Sequence, residues 1–249
     1  MKEIRWLLEE KYGGKRTEAA EKDIVRLEKG EHVDSVIGWV DFLDCRIDLS
    51  QKPLIPRPET EYWTEKAIRE MQARASRAMQ CRVLDIFAGS GCIGIAVLKH
   101  IPWAKVDFAE KEKKFLKQIE INAKLNGIAP SRYRLIQSDV FSNVKGKYDY
   151  ILANPPYISE KSKHQIQESV LRWEPHNALF GGQDGLQFIR ELADKGMVHL
   201  RAGGKMYIEF DTPSKNMVEK VLSENNLSHS FFKDQFGKWR YVRINRLGR

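Results

Sequence analysis

The sequence predicts an α/β fold with a mostly parallel sheet of seven strands, an antiparallel last strand and helices on both faces. From Val83 onward, short apolar segments rich in β-branched residues alternate with amphipathic helical segments. This alternation is typical of parallel sheets covered by helices. The last two strand-like segments, His229 to Lys233 and Trp239 to Ile244, are separated by a short turn around Gly237. Such a short connection requires an antiparallel pair.

The alternating part supplies the remaining elements in chain order. Five earlier segments are predicted to be strands: Val83 to Phe87, Lys105 to Glu110, Arg132 to Gln137, Tyr148 to Ala153 and Lys205 to Phe210. Four segments are predicted to be helices: Ile93 to His100, which is apolar, and Lys111 to Asn126, Gly185 to Leu200 and Pro213 to Asn225. Asn126-Gly127 is a typical helix stop.

The first sixty residues have a different pattern. Lys2 to Lys29 is helical and strongly charged, with Gly13-Gly14 separating two helices. Val33 to Leu49 carries β-branched and aromatic residues and predicts a hairpin, which ends in a loop stiffened by three prolines. A further amphipathic helix is predicted from Glu61 to Gln80. We therefore expect a short helical segment over residues 1–30, a hairpin linker over 31–60 and the main domain over 61–249.

Composition narrows the class of protein. The net charge of +8 and the pI of about 9.3 favour an acidic partner, or equally a solvated basic surface. Three scattered cysteines form no CxxC pair, and the six histidines form no spaced cluster, so neither a disulfide framework nor a metal site is expected. The start of the chain lacks the apolar core of a leader, and Asp85 interrupts the best apolar run. We expect a cytoplasmic monomer that does not bind a membrane.

A glycine-rich loop follows the first strand of the alternating part. The segment DIFAGSGCIG, Asp85 to Gly94, joins that strand to a helix, so that glycine backbone and helix N–H groups face the crevice at the strand ends. Glu110 ends the second strand, where an acidic residue can bind a ribose diol. Asp139, after the third strand, can accept the amino group of an adenine. The loop departs from the dinucleotide-binding motif G-x-G-x-x-G. This departure favours a nucleoside without phosphates as the ligand. A tight turn that binds no ligand is the alternative.

The segment ILANPPYI, Ile151 to Ile158, ends a buried strand with Asn-Pro-Pro-Tyr. Two prolines cannot continue a central strand, so the segment has another purpose. The Asn154 side-chain oxygen and the Pro155 carbonyl can each accept one N–H of a planar –NH₂ group, and Tyr157 can stack on that group. Fixed acceptors of this kind orient the nitrogen lone pair and stabilise the positive charge that grows on it. A proline-rich loop without chemistry is the alternative.

Together, VLDIFAGSG and ILANPPYI resemble the S-adenosylmethionine-dependent methyltransferases that modify exocyclic or amide nitrogens. Three further stretches resemble the HemK-type glutamine methyltransferases, which methylate the Gly-Gly-Gln motif of peptide-chain release factors: LIPRPETE, EPHNALFGGQDG and DQFGKWRYV. The similarity spans Pro53 to Ile244. It implies a Rossmann-like class I methyltransferase fold, S-adenosylmethionine as cofactor and a release factor as protein substrate.

The resemblance also implies roles for individual residues. Those expected to bind the cofactor are Phe87, Ala88, Gly89, Ser90, Gly91, Glu110, Asp139, Val140 and Asn154. Those expected to clamp the glutamine are Asn154, Pro155, Pro156 and Tyr157, of which Asn154, Pro155 and Tyr157 are the catalytic set. Arg57, Glu59 and Thr60 are expected to shape the rim between the two ligands. The family's N-terminal helical domain, which helps to grip the release factor, is normally longer than the part before Pro53 here.

The sequence departs from the family pattern at three positions of the expected site, and two alternative functions stay open. Phe87 and Ala88 replace the small residues usual in the family, which predicts a tighter cofactor pocket, and Glu110 replaces the commoner aspartate. The chain's own Gly-Gly-Gln at Gly181 to Gln183 is interpreted as a coincidence of loop residues. The same clamp would serve methylation of an exocyclic amine in RNA or DNA, although no added target-reading domain is evident. A non-catalytic cofactor-binding module is the second alternative.

Overall fold

The computed structural model of the protein describes residues 2–74 and 80–247. Nine strands are found there: β1 Trp39–Phe42, β2 Cys45–Asp48, β3 Cys81–Ile86, β4 Ala104–Glu110, β5 Tyr133–Gln137, β6 Tyr148–Ala153, β7 Leu200–Glu209, β8 His229–Lys233 and β9 Trp239–Asn245. The last seven form one sheet in the order β5-β4-β3-β6-β7-β9-β8. Only β9 runs against its neighbours in this sheet. The predicted fold class is confirmed.

Helices cover both faces of the sheet. Within the described residues they are α1 Lys2–Tyr12, α2 Glu18–Glu28, α3 Val33–Ile37, α4 Pro58–Arg74, α5 Cys92–His100, α6 Lys113–Leu125, α7 Glu168–Trp173, α8 Gln187–Lys195 and α9 Lys215–Glu224. On one face, α4, α5 and α6 bury Trp63, Ile95 and Ile119 in a continuous apolar core. On the other face, α8 and α9 bury Ile189 and Val218. Burial of apolar area on both faces is the main stabilising contribution.

The N-terminal helices α1, α2 and α3 have a small core of their own. Leu7, Ile24 and Val36 are buried together in it. Thr17 begins α2 by accepting a hydrogen bond from the backbone N–H of Ala20 at 3.1 Å, as a good N-cap residue does. The described residues before Gly30 thus contain two helices, α1 and α2, and a third helix, α3, packs against them.

Several predicted element boundaries were wrong. Val33–Ile37, expected to begin the hairpin, forms α3, and the hairpin is confined to β1 and β2. Gly38 ends α3 with φ of +98°, a conformation that glycine adopts without strain. The helix expected from Glu61 begins earlier, at Pro58, because proline suits the first turn of a helix. It is described as far as Arg74, residues 75–79 lie outside the described ranges, and Gln80 is not helical.

The helix predicted from Gly185 to Leu200 is also shorter than expected. The α-helix α8 covers Gln187–Lys195, and a 3₁₀ turn over Gly196–His199 leads directly into β7, which begins at Leu200. Of the strand predicted as Lys205 to Phe210, Lys205 to Glu209 form the second half of a ten-residue strand, and Phe210 lies just beyond its end. A tight approach of Gly196 to Met206 marks the place where the chain turns back onto the sheet.

One face of α6 holds the hairpin against the domain. The side-chain oxygens of Asn126, Asn122 and Gln118 accept the backbone N–H groups of Arg46, Asp48 and Gln51 at 3.0, 2.8 and 2.8 Å. These three helix positions are four residues apart and therefore lie in one row. Asn122 also donates to the carbonyl oxygen of Ser90 in the glycine loop at 2.8 Å. The hairpin, and the proline loop after it, are thereby fixed relative to the strand ends.

No helix in the described part of the chain has both the length and the apolar character needed to cross a membrane.

Candidate functional site

Three neighbouring strands end at the same level of the sheet. Ile86 of β3 pairs with Ala153 of β6, which in turn pairs with Ile208 of β7. The residues that follow these three, Phe87, Asn154 and Glu209, therefore lie side by side at the carboxyl edge. Open α/β sheets bind their ligands at this edge. The register alone thus brings the glycine loop and the Asn-Pro-Pro-Tyr segment together.

The glycine loop is shaped by left-handed backbone. Phe87, Gly89 and Gly91 have φ of +61°, +54° and +79°. At Gly91 a Cβ atom would lie 3.0 Å from the Ile119 side chain, so glycine is required there for space as well as for conformation. At Phe87 the conformation is unfavourable for a bulky residue, and the ring packs edge-to-face on Phe188 with centroids 5.2 Å apart. The expected bulk at position 87 is accommodated by this contact.

Glu110 anchors the loop from the neighbouring strand. Its Oε2 accepts the backbone N–H of Gly89 and its Oε1 accepts that of Glu112, both at 2.8 Å. Burial raises the pKa of the Glu110 carboxyl, and these N–H donors partly oppose that shift. Each carboxylate oxygen has two lone pairs, so both retain capacity for a further donor. Glu110 is therefore suited both to hold the loop and to bind a diol.

A cavity of about 340 Å³ opens between the glycine loop, the proline loop and the Asn-Pro-Pro-Tyr segment. Of the predicted site residues it is lined by Arg57, Thr60, Phe87, Ala88, Gly89, Ser90, Glu110, Asp139, Val140, Asn154 and Pro156. Four predicted site residues are not part of the lining: Glu59, Gly91, Pro155 and Tyr157. Most of the residues expected to bind either ligand are thus brought to one cavity.

Asp139 stands at the outer rim of this cavity. Its carboxylate is exposed and accepts a hydrogen bond from the Lys111 ammonium group at 2.8 Å. The adjacent Val140 is buried with φ of +47°, which turns the backbone at the end of β5 towards the cavity. Asp139 is therefore placed where it can accept a hydrogen bond from an amino group, while it remains paired with the Lys111 ammonium group.

Glu209 forms a buried polar cluster behind the clamp. Its Oε2 accepts from the Thr60 hydroxyl at 2.7 Å and from Trp63 Nε1 at 2.6 Å, and its Oε1 accepts from the Tyr157 hydroxyl at 3.2 Å. Asn154 Nδ2 donates to the Thr60 hydroxyl oxygen at 3.2 Å. The first turn of α4 and the end of β7 thus support the clamp, with Thr60 in the cavity lining and Glu209 outside it.

Burial controls the protonation of this cluster. It raises the pKa of Tyr157 far above its usual range, and the negative charge of Glu209 raises it further. Burial also raises the pKa of Glu209, against the hydrogen bonds from Trp63 and Thr60 and the positive charge of Arg240. Tyr157 is therefore a neutral phenol at physiological pH, a hydrogen-bond donor and stacking surface instead of a base.

The proline loop and the segment after the clamp are joined by an ion pair. The Arg57 guanidinium contacts the buried carboxylate of Glu174 at the end of α7. Farther along, Asn177 donates to Glu112 Oε1 at 3.0 Å. Glu59 lies in the first turn of α4, next to Thr60. Of the predicted rim residues, Arg57 and Thr60 therefore line the cavity, and Glu59 does not.

The chain's own Gly-Gly-Gln has a structural explanation. A Cβ atom on Gly181 would lie 2.5 Å from the Pro156 carbonyl oxygen, and one on Gly185 would lie 2.3 Å from that of Tyr157. These glycines allow the loop to pack directly against the clamp. The side-chain amide of Gln183 donates outward to exposed Glu160 at 2.5 Å. The motif is thus a packing element of this loop, in agreement with its interpretation as a coincidence.

Comparison with known proteins places the chain in a family. The profile of the family "Methyltransferase small domain" matches residues 67–183. A release factor glutamine methyltransferase of Bacteroides thetaiotaomicron is 35% identical over 91% of this chain and 80% of its own length. One from Lactococcus lactis is 31% identical over 88% of this chain and 79% of its own length. The chain belongs to the release factor glutamine methyltransferase family.

Solved structures agree with this family's fold. The hMettl16 catalytic domain has a TM-score of 0.61 at 14% identity, with 81% of this chain and 76% of that chain covered. The T. thermophilus 16S rRNA methyltransferase RsmC, in complex with AdoMet and guanosine, has a TM-score of 0.56 at 15% identity, with 84% and 49% covered. At such low identity the likeness concerns the fold.

As a member of the release factor glutamine methyltransferase family, the chain uses S-adenosylmethionine, and the cavity fits this molecule. Glu110 is suited to bind the ribose diol. Gly89 has no side chain, so the position where a Cβ atom would stand is open to the cavity. Phe115, Phe180 and Phe188 give the cavity an apolar lining. Flat apolar walls with a few convergent polar groups are typical of nucleoside sites.

Several residues of this family member's site were not predicted from its sequence. Phe115, Phe180 and Phe188 line the cavity, and Glu209 supports the clamp. Phe180 lies in EPHNALFGGQDG, a stretch that pointed to the family without assigning a role to this ring. Glu209, at the end of a buried strand, could have been found because a carboxylate at that place needs donors.

Proposed function

We propose that this chain transfers the methyl group of S-adenosylmethionine to the side-chain amide nitrogen of the glutamine in the Gly-Gly-Gln motif of a peptide-chain release factor. Family membership supports the reaction class and the substrate. The observation that carries the assignment of residues is that Asn154 and Pro156 line the same cavity as Glu110 and Asp139. A group held by Asn-Pro-Pro-Tyr thus faces the space that suits the cofactor.

In this proposal the clamp acts by orientation. The amide nitrogen of glutamine is a poor nucleophile because its lone pair is delocalised into the carbonyl group. The Asn154 side-chain oxygen and the Pro155 carbonyl accept its two N–H groups, and the two prolines keep the second acceptor rigid. Their partial negative charges stabilise the positive charge that develops on nitrogen. S-adenosylmethionine, when bound, supplies an electrophilic methyl group on its sulfonium sulfur.

No base of the chain is needed to complete the reaction. An N-methylated amide that carries an extra proton is strongly acidic, so water can take this proton. The high pKa of Tyr157 keeps its hydroxyl protonated, and it can pack on the flat amide as a neutral ring. Attack is therefore direct, with one C–S bond broken and one C–N bond formed, and without a covalent enzyme intermediate.

The N-terminal helices are proposed to bind the body of the release factor. A groove of about 300 Å³ runs from Trp6 and Glu10 on α1 to Pro56 and Arg57, which also line the cofactor cavity. The Trp6 side chain is 44% exposed, and exposed tryptophan is enriched at protein interfaces. A protein whose glutamine enters the cavity would pass this groove. The enzyme is proposed to act as a monomer in the cytoplasm, where release factors function.

Mass spectrometry of a release factor, incubated with this protein and S-adenosylmethionine, tests the proposal. We expect one added methyl group on the Gly-Gly-Gln glutamine and none on a factor with glutamate there. Asn154→Ala should lower kcat by about a hundredfold, as loss of one transition-state hydrogen bond does elsewhere. Methylation at another residue, or incorporation into RNA in place of the factor, would overturn the proposal.

A further inference from the structure

The Asn154 side chain can serve as an acceptor only in one of two orientations. An asparagine amide has an oxygen that accepts and an –NH₂ group that donates, and rotation by half a turn exchanges them. With the oxygen towards the cavity, the side chain can accept a substrate N–H. With its –NH₂ group towards the cavity, the side chain places one donor opposite another, the substrate –NH₂ group, and no hydrogen bond can form between them. The clamp therefore needs something that distinguishes these orientations.

Hydrogen-bond direction within the buried cluster makes this distinction. Glu209 is 1% exposed, and its Oε2 lies 2.6 Å from the indole nitrogen of Trp63; because an indole N–H can only donate, this oxygen is an acceptor. The Thr60 hydroxyl, 2.7 Å from Oε2, has a single proton and must donate it there. The Thr60 oxygen is then left as an acceptor for Asn154, and the contact of 3.2 Å is made by Nδ2.

Trp63 fixes the direction of the two hydrogen bonds that run from Asn154 to Thr60 and from Thr60 to Glu209. An indole N–H can only donate, and it lies 2.6 Å from the same Oε2. The opposite oxygen of Glu209 receives the Tyr157 hydroxyl at 3.2 Å. The Glu209 carboxyl group thus contacts donors from α4 and from the clamp itself, and its position at the end of β7 is fixed by the pairing of Glu209 with Tyr241 of β9.

We propose that Glu209, acting through Thr60, is a positioning residue that turns the Asn154 side-chain oxygen towards the substrate amide and holds Tyr157 by its hydroxyl. This inference rests on the proposed function, in which Asn154 accepts from the glutamine. Glu209 is not among the residues that line the cavity. Its role is to make the substrate-facing end of Asn154 an acceptor before the substrate arrives.

Thr60→Val tests the inference, because valine has the shape of threonine without the hydroxyl. We expect kcat for release-factor methylation to fall about twofold to tenfold, the equivalent of one neutral hydrogen bond. KM for the release factor and Kd for S-adenosylmethionine should change less than twofold. Thr60→Ser, which restores the hydroxyl, should recover most of the lost kcat.

Thr64→Val is the matched control. Thr64 lies one turn farther along α4, is fully buried and, among the described residues, has no hydrogen-bond partner for its hydroxyl. The same substitution there should leave kcat unchanged. A wild-type kcat in Thr60→Val, or an equal loss in both variants, would overturn the inference.

Glu209→Gln tests the direction of the bonds. A glutamine oxygen at the Oε2 position can still accept from Thr60 and Trp63, and its –NH₂ group can face Tyr157, whose hydroxyl can accept. The orientation of Asn154 is then preserved, so kcat should fall less than in Thr60→Val. A larger loss in Glu209→Gln would show that charge, and not bond direction, is what matters, and would overturn the inference.

A measurement that does not depend on catalysis tests this inference independently of the proposed function. The NMR signal of the Asn154 side-chain –NH₂ group can be assigned by its loss in Asn154→Ala. Its protons should exchange with solvent several times faster in Thr60→Val than in the wild type or in Thr64→Val. Unchanged exchange in Thr60→Val overturns the inference, whereas absence of methylation by the wild-type chain overturns only the proposed function.

Discussion

Replacement of Gly181 by alanine should move the clamp without altering any residue of it. The backbone at Gly181 is not in the left-handed region, so alanine can adopt it. Its Cβ atom, however, would lie 2.5 Å from the Pro156 carbonyl oxygen and 2.7 Å from that of Gly185. Ordinary contact begins at 3.4 Å, which requires a displacement of about 0.9 Å on the Pro156 side. Because proline restricts φ, the displacement is transmitted to the neighbouring acceptors.

The expected size of the effect follows from this displacement. A shift of about 1 Å in a reacting group can cost about a hundredfold in rate. We therefore expect Gly181→Ala to lower kcat for release-factor methylation by about a hundredfold. The overpacking should also lower stability by about 1–3 kcal/mol, equivalent to a Tm decrease of about 2–12 °C for a domain of this size.

Steady-state methylation, with Tm measured in parallel, checks this expectation. Gly196→Ala is a suitable control, since its Cβ atom would come close to the flexible end of the Met206 side chain, at 2.8 Å, and would otherwise meet Phe141 at an ordinary contact distance of 3.7 Å. It should keep kcat close to that of the wild type. The reasoning is refuted if Gly181→Ala retains kcat within about threefold of the wild type with an unchanged Tm, because the loop then accommodates the methyl group without displacement.

Two further predictions concern buried carboxylates. In Glu110→Gln, the N–H of Gly89 or that of Glu112 faces an –NH₂ group and loses its acceptor. The Kd for S-adenosylmethionine, measured by calorimetry, should therefore rise about tenfold. An unchanged Kd would contradict the anchoring role of Glu110. Burial alone would raise the pKa of Asp234, but backbone N–H donors and Arg240 lower it overall. Its contribution to stability is therefore present above pH about 3.8 and lost as pH falls through the lower folded-state pKa. The Tm difference between wild type and Asp234→Asn should shrink from pH 6 to pH 3, and a constant difference would disprove this.

The sheet and its ligand edge could be predicted because their signals are local. The strand Tyr148–Ala153 was predicted at its observed bounds, since a buried apolar run stops at Asn-Pro-Pro. The position of Asn154 next to the glycine loop then follows from the rule for open α/β sheets. By contrast, Val33–Ile37 was assigned to a hairpin because its β-branched residues favour strands. Packing against α1 and α2 outweighs that preference.

The polar cluster behind the clamp could not be predicted because its members are distant in sequence. Thr60 and Glu209 are 149 residues apart, and Trp63 and Glu209 are 146 apart. Periodicity indicates which positions are buried, but it does not indicate which buried donor meets which acceptor. The aromatic cavity wall has the same cause, because Phe115, Phe180 and Phe188 come from three different segments.

The amide side chains of α6 have a further consequence for the hairpin. Asn126 both accepts the N–H of Arg46 and donates to its carbonyl oxygen, at 3.0 and 2.8 Å, and Asn122 does the same for Asp48 at 2.8 and 3.3 Å. A neighbouring strand would make the same pair of bonds at every second residue. The helix therefore imitates a third strand. The outer edge of β2, which could otherwise recruit a strand from another molecule, is closed against intermolecular pairing and aggregation.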